Sequence, residues 1–108
     1  MHTADLDELT YDLDEDGALV RRQLERVVLT RGAWSTVLFL YEELDRRTGA
    51  FRPPRAAVVR FQKVRGGYRK HSAFVVGSAD EMGVLLSTLG RWAPRLSAID
   101  DDAPRSED

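Results

Sequence analysis

Between Arg46 and Lys70 the chain carries nine basic side chains and no acid: Arg46, Arg47, Arg52, Arg55, Arg60, Lys63, Arg65, Arg69 and Lys70. The next acid is Asp80. Phe51, Phe61 and Tyr68 are interleaved with these cations. Cations that track phosphates and rings that stack on bases, at about 1–3 kcal/mol each, are what a single-stranded nucleic acid requires of its site. Fourteen of the sixteen bases are arginine, whose planar guanidinium forks onto phosphate and stacks on rings better than an ammonium does. The competing reading is a solvated basic face whose rings belong to the core. The stretch favours a polyanion surface on two neighbouring strands and their loops.

Other chemistry is thinly represented. Asp12-Leu13-Asp14-Glu15-Asp16-Gly17 copies the first half of a calcium loop, with acids at positions 1, 3 and 5 and glycine at 6. Position 12 is Gln23 where a bidentate acid belongs, so an acidic turn is the better reading. His71 is the one interior histidine, and no nearby acid would orient its ring for work with a serine. Its basic neighbours make it a phosphate or base contact. Glu42, Glu43 and Asp45 cluster near a strand end, where pairing with Arg46 or Arg47 is the simplest role. Two distant histidines and no cysteine make no metal site, no disulfide and no thiol nucleophile. The reading is a binding protein without a cofactor, not an enzyme.

The net charge of −2 conceals a segregation. Residues 1–16 hold seven acids and no base, and residues 97–108 hold five acids against Arg105 alone. Residues 17–96 hold fifteen bases and six acids, a net charge of +9. The expected organisation is an acidic N-terminal tail (1–16), in which Leu6, Leu9, Tyr11 and Leu13 could still dock a short strand or turn, a basic domain (17–96) and an acidic C-terminal tail (97–108). Such asymmetry is a prior for contact with nucleic acid or a charged surface. The longest apolar stretch, Val37 to Tyr41, is too short for a membrane span, which needs roughly 20 residues. The acidic start is unlike a signal peptide. A cytoplasmic location and no membrane partner are expected.

These side chains need strands to position them. Residues 24–30 are expected to form a strand, although 18–25 also fit a helix. Trp34 to Leu44, rich in β-branched and aromatic residues and apolar on both faces, should be a central strand. Arg55 to Val64 and Tyr68 to Val76 follow, joined by a hairpin at Arg65-Gly66-Gly67. In the last strand, alternation puts Tyr68, Lys70, Ser72, Phe74 and Val76 on one face, and Arg69, His71, Ala73 and Val75 on the other. Ser78-Ala79-Asp80-Glu81 is a capping box opening a helix over about 79–92, stopped by Pro94. Met82, Leu85, Leu86, Leu89 and Trp92 form its apolar stripe. The fold class is α+β, a four-stranded antiparallel sheet followed by one C-terminal helix. One helix covers only one face of such a sheet, so its other side is a natural dimer contact.

Over residues 25–92 the chain resembles the positive-cofactor-four family of transcriptional coactivators and its short bacterial relatives. The residues that carry the likeness are Gly32-Ala33-Trp34 opening a strand, Val58-Val59-Arg60-Phe61, and Tyr68-Arg69-Lys70-His71-Ser72-Ala73-Phe74-Val75-Val76. A short link, Gly77-Ser78-Ala79-Asp80-Glu81, then opens the single helix. The family's glycine after the basic residue is absent, with His71-Ser72-Ala73 in its place, and the Asp45–Pro54 loop is long. The resemblance implies a curved sheet and a homodimer packed through its helices that binds single-stranded DNA. Trp34, Arg60, Phe61, Tyr68, Arg69 and Lys70 would be contacts.

The combined expectation is a largely sequence-independent binder of single-stranded DNA or RNA, serving transcription, replication or repair at the nucleoid. Its cations would lie between residues 46 and 70, and Trp34, Phe61 and Tyr68 would stack bases. The alternative is a protein-interaction module using the basic sheet face or a sheet edge. Exposed rings beside the arginines favour the first; buried rings and an open apolar surface favour the second.

Overall fold

A computed structural model of the chain describes residues 5–96. It is α+β, a curled antiparallel sheet followed by one helix. The strands are β1 (Leu13–Glu15), β2 (Ala18–Thr30), β3 (Trp34–Asp45), β4 (Ala50–Phe51), β5 (Arg55–Val64) and β6 (Gly67–Val76). Their order in the sheet is β1-β2-β3-β5-β6, with β4 pairing only β3. β2, β3, β5 and β6 are the four expected strands. The short β1 and β4 raise the number of strand segments to six. Residues 18–25 are strand, continuous with 24–30. No described helix is long and apolar enough to cross a membrane.

Two hairpin turns fix the register. Asp16-Gly17 and Arg65-Gly66 all have positive φ (52°, 82°, 44° and 80°), the backbone that matches the right-handed twist of the flanking strands. Asp16 closes the acidic turn between β1 and β2. The Asp12 carboxylate there accepts the Gln23 N–H at 2.7 Å.

The core lies on one side of the sheet, here the first face. Val37, Phe39 and Tyr41 of β3 stand beside Ala57, Val59 and Phe61 of β5, and all are buried. Burying one such large side chain contributes about 1.5–3 kcal/mol. Their cover is the acidic N-terminal segment. A 3₁₀ turn at Leu6–Glu8, capped by the Asp5 carboxylate, lets Leu6, Leu9 and Tyr11 enter the core. The Tyr11 ring stacks on Phe39 at 4.9 Å and 12° and meets Tyr41 edge-on at 4.8 Å. Residues 5–16 are therefore not a tail. Their acids face solvent, but three apolar side chains spaced over six positions are enough to seat the segment. Residues 1–4 and the expected C-terminal acidic tail at 97–108 lie outside the described residues.

The faces of β6 differ from strict alternation. Arg60 pairs with Ser72, but Phe61 pairs with Lys70, so His71 is the extra residue of a bulge. One inserted residue exchanges the faces on either side of it. Tyr68 and Lys70 share the first face with Ala73 and Val75. Arg69 shares the second face with Ser72, Phe74 and Val76.

Among the described residues of the unit that ends at Gly77, the second face has no comparable cover. Val27, Leu40 and Phe74 are more than a third exposed on it, and Phe74 reaches 52%. The helix α1 (Ala79–Trp92) is a separate compact unit from Ser78 onward. The Ser78 hydroxyl accepts the Glu81 N–H at 3.1 Å, as the capping box predicts. None of its residues is buried, and Leu86, Leu89 and Trp92 of its apolar stripe are well exposed.

Candidate nucleic-acid interface

The twelve residues expected to bind nucleic acid fall into two groups, at opposite ends of the sheet. The ten residues of β5 separate them, about 30 Å of extended chain.

The first group surrounds the loop that carries β4. Here the fold returns acids that the sequence between residues 46 and 70 lacks. Arg46 pairs with Glu15. Arg47 and Arg52 approach the Asp45 carboxylate at 3.6 and 3.9 Å, and Arg55 approaches Glu43 at 3.8 Å. Arg22 forks onto Glu42, with its nearest nitrogen at 2.6 Å, and stacks over Phe51 at 4.2 Å. A cavity of about 270 Å³ at this end is lined by Arg46, Arg52 and Arg55, and equally by Glu15 and Glu43. Neighbouring charges of opposite sign cancel there, so this end is a poor site for a polyanion. The pairing of Arg47 with Asp45 was expected from the sequence, but Glu15 was invisible to a reading along the chain because it arrives through the β1–β2 hairpin, thirty-one residues from Arg46.

The second group surrounds the β5–β6 hairpin. Lys63, Arg65, Arg69 and Lys70 have no carboxylate within ion-pairing distance among the described residues. Arg65 holds φ 44°, a conformation that glycine or asparagine adopts at lower cost. The β2–β3 turn lies alongside, since the Lys63 N–H donates to the Ala33 carbonyl at 2.8 Å. That contact brings Trp34 opposite Gln62 on the second face. Trp34 is 37% exposed. The Arg60 guanidinium lies 5.0 Å from its ring centre, and the bulged His71 meets it edge-on at 4.9 Å. Trp34, Arg60 and Arg69 thus share the second face at this end. Lys63 and Lys70 share the first.

The other two expected stacking rings are not available. Phe61 is 6% and Tyr68 8% exposed, both within the core. Each falls on the first face within the core cluster, Phe61 edge-on to Phe39 and Tyr68 opposite Lys63, where burial outweighs display. Lys63 lies over the Tyr68 ring at 6.0 Å and adds to its cover.

The sequence reading missed the basic residues of β2. Arg31 donates to the Asp7 carboxylate at 2.9 Å, and Arg26 donates to the carbonyls of Asp7 and Leu9. The Arg31 guanidinium, hydrogen-bonded to Asp7, holds that carboxyl below the usual carboxylate range, and Asp7 in turn raises Arg31. Burial pushes the Tyr41 phenol up. Leu6, Leu9 and Tyr11 spaced ahead of a strand were the one signal that β2 would have something to grip.

No protein-family model matches the chain, and no curated protein or solved structure is significantly similar to it.

Proposed function

We propose that the protein binds single-stranded nucleic acid, DNA in preference to RNA and without strong sequence preference, through the β5–β6 hairpin end of its sheet, and performs no catalysis. One observation carries this reading. Lys63, Arg65, Arg69 and Lys70 flank one hairpin without a carboxylate partner among the described residues, beside an exposed Trp34 that Arg60 already stacks on. Phosphates would lie along the four cations, and a base would stack on the indole. Arginine in a left-handed turn position supports the reading further, because charge is kept there at a conformational cost of about 1–2 kcal/mol. The likeness to the positive-cofactor-four family in strand order and in the segment around Arg69 points the same way. The apolar stripe Met82, Leu85, Leu86, Leu89 and Trp92 belongs, in this reading, to a homodimer contact. Replacing Leu86, 71% exposed, with Glu is expected to convert a dimer to a monomer in sedimentation.

The test is fluorescence anisotropy with labelled oligo-dT and a matched duplex, at low and moderate salt. Preference for the single strand with a steep salt dependence is expected. No binding to either at low salt would end the proposal.

A second reading has its own support. Phe61 and Tyr68 are buried, and the second face leaves Val27, Leu40 and Phe74 exposed, which is the pattern expected of a protein-docking sheet. It gains the ground if the anisotropy experiment fails.

A further inference from the structure

We propose that the first face of the sheet, beneath residues 5–12, is a second single-strand surface, which the chain occupies with its own acidic segment until a longer nucleic acid displaces it. The inference rests on the single-strand reading above and assigns to that activity a surface of different residues.

Residues 5–12 lie on the sheet without joining it as a strand. Side chains of β2 and its following turn hold them. Arg26 donates to two of their carbonyls, at Asp7 and Leu9, and Arg31 to the Asp7 carboxylate. The Gln23 side-chain oxygen accepts the Tyr11 N–H at 2.9 Å. Arg21 lies 4.3 Å over one side of the Tyr11 ring. Phe39 lies parallel to that ring at 4.9 Å.

These contacts are the ones a short single strand would make. A flat ring is stacked on an aromatic platform with a guanidinium against it. Carbonyl and carboxylate oxygens of Asp7 and Leu9, on the N-terminal side of that ring, are gripped by two further arginines. A base has the same ring and the same outlying oxygens. Without the segment, the face would present Phe39, Tyr41 and Phe61 between Arg21, Arg26 and Arg31 on one flank and Lys63 and Lys70 on the other. The last two belong to the hairpin end, so a strand seated there has a continuous path onto the covered face. Leu6 and Leu9 are buried, so a ligand must cover enough of the exposed apolar surface to replace them. A long oligonucleotide does this and a very short one does not.

The decisive measurement is hydrogen exchange on the full chain at low salt, with and without saturating dT20, saturation being checked by anisotropy. Exchange across residues 5–12, with the Tyr11 amide as reporter, is expected to speed up roughly tenfold as the segment leaves. Saturated binding with unchanged or slower exchange there overturns the proposal. A second arm keeps the fold intact. The variant Asp5→Asn/Asp7→Asn/Glu8→Gln removes three exposed charges, and with them the Asp7–Arg31 ion pair, while keeping a capping side chain at position 5 and leaving Leu6, Leu9 and Tyr11 in place. It is compared with Asp14→Asn/Glu15→Gln/Asp16→Asn, an equal charge change at the other end of the sheet. The first is expected to bind dT20 about three- to tenfold tighter than the second. Equal tightening would mean bulk charge alone and would also overturn the proposal. Binding that depends on Arg69 and Lys70 while the segment stays protected removes this inference and leaves the proposed function standing. Binding by neither the wild type nor the first variant removes both.

Discussion

The two ends of the sheet are built from the same basic side chains and differ in what the fold sets against them. At the β4 end, Arg46, Arg47, Arg52 and Arg55 each meet a carboxylate within 4 Å. At the β5–β6 hairpin, Lys63, Arg65, Arg69 and Lys70 meet none among the described residues. The composition of a segment therefore does not decide its field. Antiparallel pairing delivers the acids of β1 and those at 42–45 to the same end, while Asp7 meets Arg31 near the hairpin end. What is left at the hairpin is a cluster of cations without carboxylate partners among the described residues, beside the exposed Trp34 ring, and local potential rather than net charge attracts a polyanion.

The largest effect that could break this comparison comes from stripping each end of charge in turn. Arg65→Ala/Arg69→Ala/Lys70→Ala is expected to weaken oligo-dT binding about a hundredfold at low salt and to flatten the salt dependence by about two units of slope. Arg46→Ala/Arg47→Ala/Arg52→Ala should weaken it no more than about threefold, because those cations are already neutralised. Anisotropy titrations at three salt concentrations read both quantities. Equal losses from the two triples would mean that the paired end binds as well as the free one.

Trp34→Ala sharpens the assignment of the ring. A stacked base is worth about 1–3 kcal/mol, and the lower half of that range is expected because Arg60 already occupies part of the indole. Stability should change little, since the ring is exposed and outside the buried core cluster. Phe61→Leu gives the reverse pattern with an oligonucleotide too short to displace residues 5–12: a lower midpoint in denaturant and no loss of affinity once folded. A loss of affinity in Phe61→Leu greater than in Trp34→Ala would show that the buried ring becomes exposed on binding.

Arg65 joins the two properties in one residue. Arg65→Gly relieves the left-handed backbone and is expected to raise stability by up to about 1 kcal/mol. It should also lower affinity a few-fold by removing one phosphate contact. A variant that gained stability and kept full affinity would show that the charge at the turn is incidental.

Most of the fold could be read along the chain, and the parts that could not share one cause. The strands β3, β5 and β6, the Arg65-Gly66 turn and the helix cap at Ser78 depend on local patterns of two to four residues. The alternation in β3 correctly separates Val37, Phe39 and Tyr41 from Trp34, Leu38 and Leu40. Bulges defeat the same reasoning. His71 in β6 exchanges the faces of Lys70 and Ser72. Register shifts between Gln23 and Glu25, and between Val28 and Thr30, leave Leu24 and Leu29 exposed in β2. A bulge is a relation between two strands and leaves no mark on one of them. The site was half legible for a similar reason. Arg60, Lys63, Arg65, Arg69, Lys70 and Trp34 come together as the sequence suggested. The pairing of Arg46 with Glu15, and of Arg31 with Asp7, depends on contacts over more than twenty positions. Phe61 and Tyr68 looked like stacking rings because their neighbours are basic, yet neighbours in a strand face the opposite side.

The smallest expected effect concerns the first face at the hairpin end, where Arg31 and Asp7 form an ion pair close to the cation cluster. Asp7 titrates below its ordinary value because Arg31 donates to its ionised form. A carboxyl lowered in the folded state contributes stability that is complete above its unfolded value. That contribution is lost as pH falls through the lower folded value. Between pH 5 and 8 the pair should therefore hold residues 5–12 with unchanging strength, and acid should loosen them only below about pH 4. Asp7→Asn removes the titrating group, so the wild type and the variant should differ in stability by a constant small amount at neutral pH and converge in acid. Denaturant midpoints at pH 7, 5 and 3 measure this. Curves that stay parallel down to pH 3 would mean that the pair does not fasten the segment, and that Leu6, Leu9 and Tyr11 hold it unaided.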